Sequence, residues 1–198
     1  ELDKFSRYLG RNPDGRGTIE AQALLPAELW SLFPSDELEE LKEWAREQVA
    51  AGGLVPAVDV ISRLEGAMPE KFGKRQLTGA ADALARMGFG MAPDPRFSLR
   101  GPKADEPVVI FELGETVERL EDVSPTYRAE LFELALATFV AHADSKLVEA
   151  ERRALRGKIE ASRGLTELER KRLHANLEWY LDVPPDMSWL RSRLKDAD

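Results

Sequence analysis

Cysteine is absent from the 198 residues. No disulfide and no thiolate metal site can form, and the chain reads as cytosolic. Histidine is scarce, with only His142 and His174. Long apolar runs are missing too: none approaches the ~20 residues that span a bilayer, so no transmembrane helix is expected. The opening Glu1-Leu-Asp-Lys-Phe5 is charged and has no apolar stretch of the kind a secretion signal needs. It also lacks an initiator Met, which reads as an internal piece of a longer protein. No Ser stands in a nucleophile-elbow setting. His142 and Asp144 lie at i and i+2, on different sides of a helix, so they do not form a His–Asp base. The protein is expected not to be an enzyme.

Positive charge is in deficit overall, with a formal net charge of −8. That argues against nucleic-acid binding through the general surface. The deficit is uneven. Residues 71–103 carry seven basic side chains (Lys71, Lys74, Arg75, Arg86, Arg96, Arg100, Lys103) against Asp82 and Asp94, a local balance of +5.

What is present is mostly helical punctuation. Ser35 before Asp36 and Glu37 reads as an N-cap, and Leu38, Leu41, Ala45 and Val49 make a buried stripe that Gly52-Gly53 ends. Pro56–Leu64 reads as a helix, and Leu77, Ala80, Ala81, Leu84 and Met87 trace another. Val108–Leu113 is the one convincing strand, β-branched, aromatic and bounded by turn residues. A preceding strand near residue 89 is expected to be irregular or at an edge, because Pro93 and Pro95 interrupt it. Three helices followed by strand, loop and strand is the order of a winged-helix domain with a small β-hairpin. From Ser124 onward the pattern is all helix. The apolar surface around Leu131, Leu134, Phe139 and Val140 is broad enough to predict a central, buried helix there. Thr166-Glu-Leu-Glu169 is a capping box. The expected parts are a helical segment over 1–34, a winged-helix-like domain over 35–114 and a helical bundle over 124–198.

An apolar helix ends in Ala141-His-Ala-Asp144. A turn follows, then an acidic helix start with Glu151, then Gly164-Leu-Thr-Glu167. This arrangement resembles a tellurite-resistance domain of the TerB type. Upstream, Tyr8-Leu-Gly-Arg-Asn-Pro-Asp14, Ala23-Leu-Leu-Pro26 and Met87-Gly-Phe-Gly90 with Asp94-Pro-Arg-Phe97 resemble the TerB-N segment that precedes TerB in longer bacterial proteins. Ser145 stands where that family usually has Gly, and Val148 where it has a Ser or Thr cap. Only one copy of the helix–Asp–helix unit is present, as if the chain stopped inside the domain. The resemblance implies a mostly α bacterial protein with a C-terminal TerB-type bundle. Its implied role is an interaction or scaffold module of a tellurite-resistance or stress-response system, including phage defence. Its implied location is the cytoplasm, reaching the inner membrane face through protein partners and without membrane insertion.

Two groups of residues are candidates for contact. Lys74, Arg75, Arg86, Arg100 and Lys103 would bind a protein partner or, as the alternative, nucleic acid, with the helix in the major groove and the loop on phosphates. Asp144 and Glu151 would hold a divalent cation through hard oxygen ligands, the one cofactor considered. The bland readings are a solvated basic face and helix-capping carboxylates. Trp189 is a candidate exposed patch for a homodimer.

Overall fold

The computed structural model describes residues 2–11, 13, 24–26, 29, 32, 35–65, 71–114, 123–144, 149–188 and 190, with Asp144 described in its backbone alone. Most of the helical segment expected over 1–34 beyond Arg11, and Trp189, lie outside these residues. The elements in chain order are α1 (Leu2–Arg11), α2 (Asp36–Ala50), β1 (Leu54–Pro56), α3 (Ala57–Glu65), α4 (Lys74–Arg86), β2 (Phe89–Ala92), β3 (Pro107–Glu112), α5 (Pro125–Asp144), α6 (Glu149–Ala161) and α7 (Glu167–Asp182). The protein is mostly helical, with one small antiparallel sheet in the order β1-β3-β2. None of the described helices is long and apolar enough to cross a membrane.

The sheet corrects the expected hairpin by one strand. β1 has only three residues and pairs with β3, Val55 opposite Val108. Its proline sits at the end of an edge strand, where a missing N–H costs no ladder bond. Gly53 leads into it at φ +79°, and a Cβ there would collide with the Ile110 carbonyl. The Ile110 N–H donates to the Gly53 carbonyl at 2.8 Å, so the close approach needs glycine. β2 is regular and lies at the other edge, ending at Pro93 as the two prolines require. Gly90 lies opposite Phe111, whose ring covers the space a Cβ would take.

Successive side chains of β3 point to opposite faces. Val108 and Ile110 join Leu38, Leu41, Val60, Ile61, Leu77 and Leu84 in a core formed with α2, α3 and α4. Val109 joins Leu131, Leu134, Leu173, Leu177, Trp179 and Tyr180 in a second core, with Phe111 packed against it. The sheet is therefore a middle layer shared by the helices before it and the helices after it. Phe5 and Leu25 form a separate small cluster with Tyr8 and Leu9.

Local signals place the ends of the helices. Ser35 caps α2 by accepting the Leu38 N–H at 3.2 Å. Thr166 and Glu169 form the capping box of α7. Glu169 does more than that: its carboxylate also accepts the Ser124 N–H at 2.7 Å, tying the start of α5 to the start of α7. Burial would push the Glu169 carboxyl up, but the N–H donors of Thr166 and Ser124 hold it below its ordinary value.

The central helix is α7, not α5. α7 packs against β2, β3, α5 and α6. It runs antiparallel to β3: Lys171 Nζ donates to the Leu113 carbonyl at 3.1 Å, and Trp179 Nε1 donates to the Pro107 carbonyl at 2.8 Å. α5 buries Leu131, Leu134, Ala135 and Thr138, yet Leu136 is 44% and Val140 54% exposed. The breadth of its apolar surface exceeds what α6 and α7 cover.

Candidate interaction site

α4 turns Leu77, Ala80, Ala81 and Leu84 into the first core. That leaves Lys74, Arg75, Gly79 and Asp82 exposed and Arg86 half-buried. The helix opens with no acidic residue in its first turn and no side-chain cap at Gly73. Its first N–H groups carry a partial positive charge that no acidic side chain of its own first turn offsets.

The loop over 93–106 runs back along α7. Asp94, 4% exposed, is its anchor. The Asp94 carboxylate accepts the Arg96 N–H at 3.0 Å, Arg96 Nε at 2.8 Å and Arg96 Nη2 at 2.6 Å. It also meets the buried guanidinium of Arg172 at 3.5 Å. Arg96 reaches on to Asp82 of α4. Both guanidiniums lie against the Phe97 ring, at 5.4 Å for Arg96 and 5.2 Å for Arg172. Burial lowers the Arg172 pKa despite Asp94. For Arg96, burial acts in the same direction, but Asp94 and Asp82 outweigh it and raise the pKa. Both side chains remain charged. Burial pushes the neighbouring Tyr127 phenol far up, so that ring stays neutral.

Arg100 is also turned inward. It donates to Glu106 at 2.9 Å and stacks over the Trp179 ring at 5.3 Å. Glu106 accepts the Lys103 N–H at 2.9 Å as well. Burial would raise its carboxyl, but Arg100 and Lys103 hold it below the usual carboxylate range.

The basic island thus divides. Arg96 and Arg100 are neutralised within the fold, and Arg86 has a partner. Lys71, Lys74 and Arg75 are exposed, with no ion pair to a described residue. Lys103 is 72% exposed and has only a 3.8 Å contact to Glu106. Of the five basic candidates, Lys74, Arg75 and Lys103 remain outward. Lys74 lines an open cleft of about 400 Å³ between the start of α4 and the loop, together with Phe72, Leu77, Leu99, Pro102 and Arg100 among others, and Arg75 and Lys103 follow lining residues in the chain.

The acidic candidates are placed less fully. Asp144 closes α5, and Glu151 is exposed in the first turn of α6 and has a partner. Residues 145–148 between them and the Asp144 side chain lie outside the described residues. Among the described residues, no group of three or more His, Asp or Glu gathers where a metal ion could sit. His142 Nδ1 lies 2.9 Å from the Thr138 carbonyl, and His174 pairs with Glu160 at 2.6 Å. Both have local structural partners.

Sequence reasoning missed Asp94 and Arg172, which stand 78 residues apart. A signal was available on one side: Arg172 shares the inward stripe of α7 with Glu169, Leu173 and Asn176, where a charge demands a buried partner. Compared with known proteins, the chain matches no family model, no curated protein and no solved structure.

Proposed function

We propose that this chain is a non-enzymatic protein–protein interaction module of a bacterial tellurite-resistance or stress-response system. In this reading, residues 35–114 form a winged-helix unit and residues 124–198 a TerB-type helical bundle. The order α2-β1-α3-α4-β2-loop-β3, with β3 between β1 and β2, supports the first assignment. The helix–helix–capping-box succession of α5, α6 and α7 supports the second.

One observation carries the choice of a protein partner over nucleic acid. A winged helix that grips a duplex offers its wing cations to phosphates. Here Arg96 and Arg100 spend theirs on Asp82, Asp94 and Glu106 and lean on α7. Meanwhile Leu136 and Val140 offer apolar surface of the kind proteins use for each other.

Titration with labelled duplex DNA at ~50 mM salt tests this, because phosphate contacts are strongest at low salt. The expected result is no saturable binding at the ~10⁻⁸ M concentrations where specific complexes form. A saturable complex there, lost in the Lys74→Glu/Arg75→Glu variant, would overturn the reading.

A further inference from the structure

We propose that the cleft between the start of α4 and the 93–106 loop docks an acidic peptide segment that carries an apolar side chain. This rests on the protein-interaction reading and names the partner chemistry for one surface.

The lining of the cleft is mixed, with apolar patches from Phe72, Leu77, Leu99 and Pro102 among polar groups of Lys74, Ser98 and Arg100. Its volume of about 400 Å³ is at the small end for a ligand site, enough for a side chain or two and the backbone between them. A phosphodiester backbone has no apolar group to fill such a floor, whereas a Leu or Phe of a peptide does.

The rim is cationic in a chain whose net charge is −8. Lys71, Lys74 and Arg75 project from the start of α4 and the residues before it without counter-ions among the described residues. Lys103 follows the lining residue Pro102 in the loop, is 72% exposed and has a 3.8 Å contact to Glu106. Ser98 lines the same cleft, its hydroxyl buried and without a hydrogen-bond partner among the described residues. The uncapped opening of α4 adds donors of the same sign. Carboxylates flanking an apolar anchor complement the exposed cations and the apolar patches.

The test is fluorescence anisotropy on the full chain with three labelled probes. The first is a peptide of Asp and Glu flanking a central Leu-Phe pair. The second is the same peptide with Ser-Ser at its centre. The third is a mixed-sequence DNA duplex. The protein is used as wild type and as Lys71→Glu/Lys74→Glu, whose two sites are exposed and whose melting curve checks the fold. The expected result is saturable binding of the first peptide, weakened at least tenfold by the Ser-Ser change and at least tenfold by the charge reversal. No binding of the first peptide, or binding that neither change weakens, overturns the cleft assignment and leaves the protein-interaction reading standing if the duplex also fails to bind. Saturable duplex binding lost on charge reversal overturns both.

Discussion

Asp94→Ala is expected to cost about 3–5 kcal/mol of unfolding free energy, the range for removing one partner of a buried ion pair. The loss falls on Arg172. Arg96 keeps Asp82 and is partly exposed, so it can turn to water. Arg172 has a side chain only 4% exposed and would be left charged beside Phe97 and Tyr127 with no carboxylate. Lowering its pKa by burial does not rescue it, because a guanidinium does not give up its proton in a protein. Removing the charge as well should recover most of the loss. Asp94→Ala/Arg172→Met is therefore expected to be more stable than Asp94→Ala alone, since an apolar chain of similar length fills the space without desolvation cost. Urea denaturation of the wild type and both variants measures this. A single variant within about 1 kcal/mol of wild type would mean that Arg172 finds water, and the buried-network account would fail.

Trp179→Ala is expected to cost a similar amount, about 3–5 kcal/mol for a buried large aromatic. Trp179 is 1% exposed and joins three parts of the molecule. Its ring fills the second core, its Nε1–H bonds the Pro107 carbonyl at the start of β3, and its face carries Arg100. Trp179→Phe separates these contributions. It keeps most of the apolar burial and the stacking face but leaves the Pro107 carbonyl without its donor, a loss of about 1–3 kcal/mol. Hydrogen exchange gives the second readout: both variants should speed exchange at the 93–106 loop and β3, with alanine the larger effect. If Trp179→Ala destabilises the protein while loop exchange is unchanged, the indole supports the core but does not hold the loop.

The two substitutions act on contacts that differ in how far a sequence reader could see them. The caps at Ser35 and Thr166 were legible because capping is a bond between neighbours in the chain. The edge position of β2 was legible because Pro93 and Pro95 deny a ladder its donors. β1 was not, because three residues show no period and the strand exists only through Val108 and Val109. α5 was misjudged as central because apolar breadth reports what a helix could bury, whereas the packing partners decide what it does bury. The basic island was legible as a count but not as a surface. Arg96 and Arg100 lie in the same run as Lys74 and Lys103, and only the fold brings Asp94 and Glu106 beside the first two. The second partner of Asp94, Arg172, comes from α7, beyond the reach of any local pattern.

Among the described residues, the outward surfaces after that internal neutralisation include the cleft with its exposed lysines and the apolar pair Leu136 and Val140. The most direct measurement is to place a photo-crosslinking side chain at Leu136, and separately at Lys74, in the intact protein in its native host, and to identify what is captured covalently. The account predicts discrete protein adducts at these positions and none at an exposed position away from both, such as Glu37. Capture of nucleic acid at position 74, or no adduct at either position in the living cell, would contradict it.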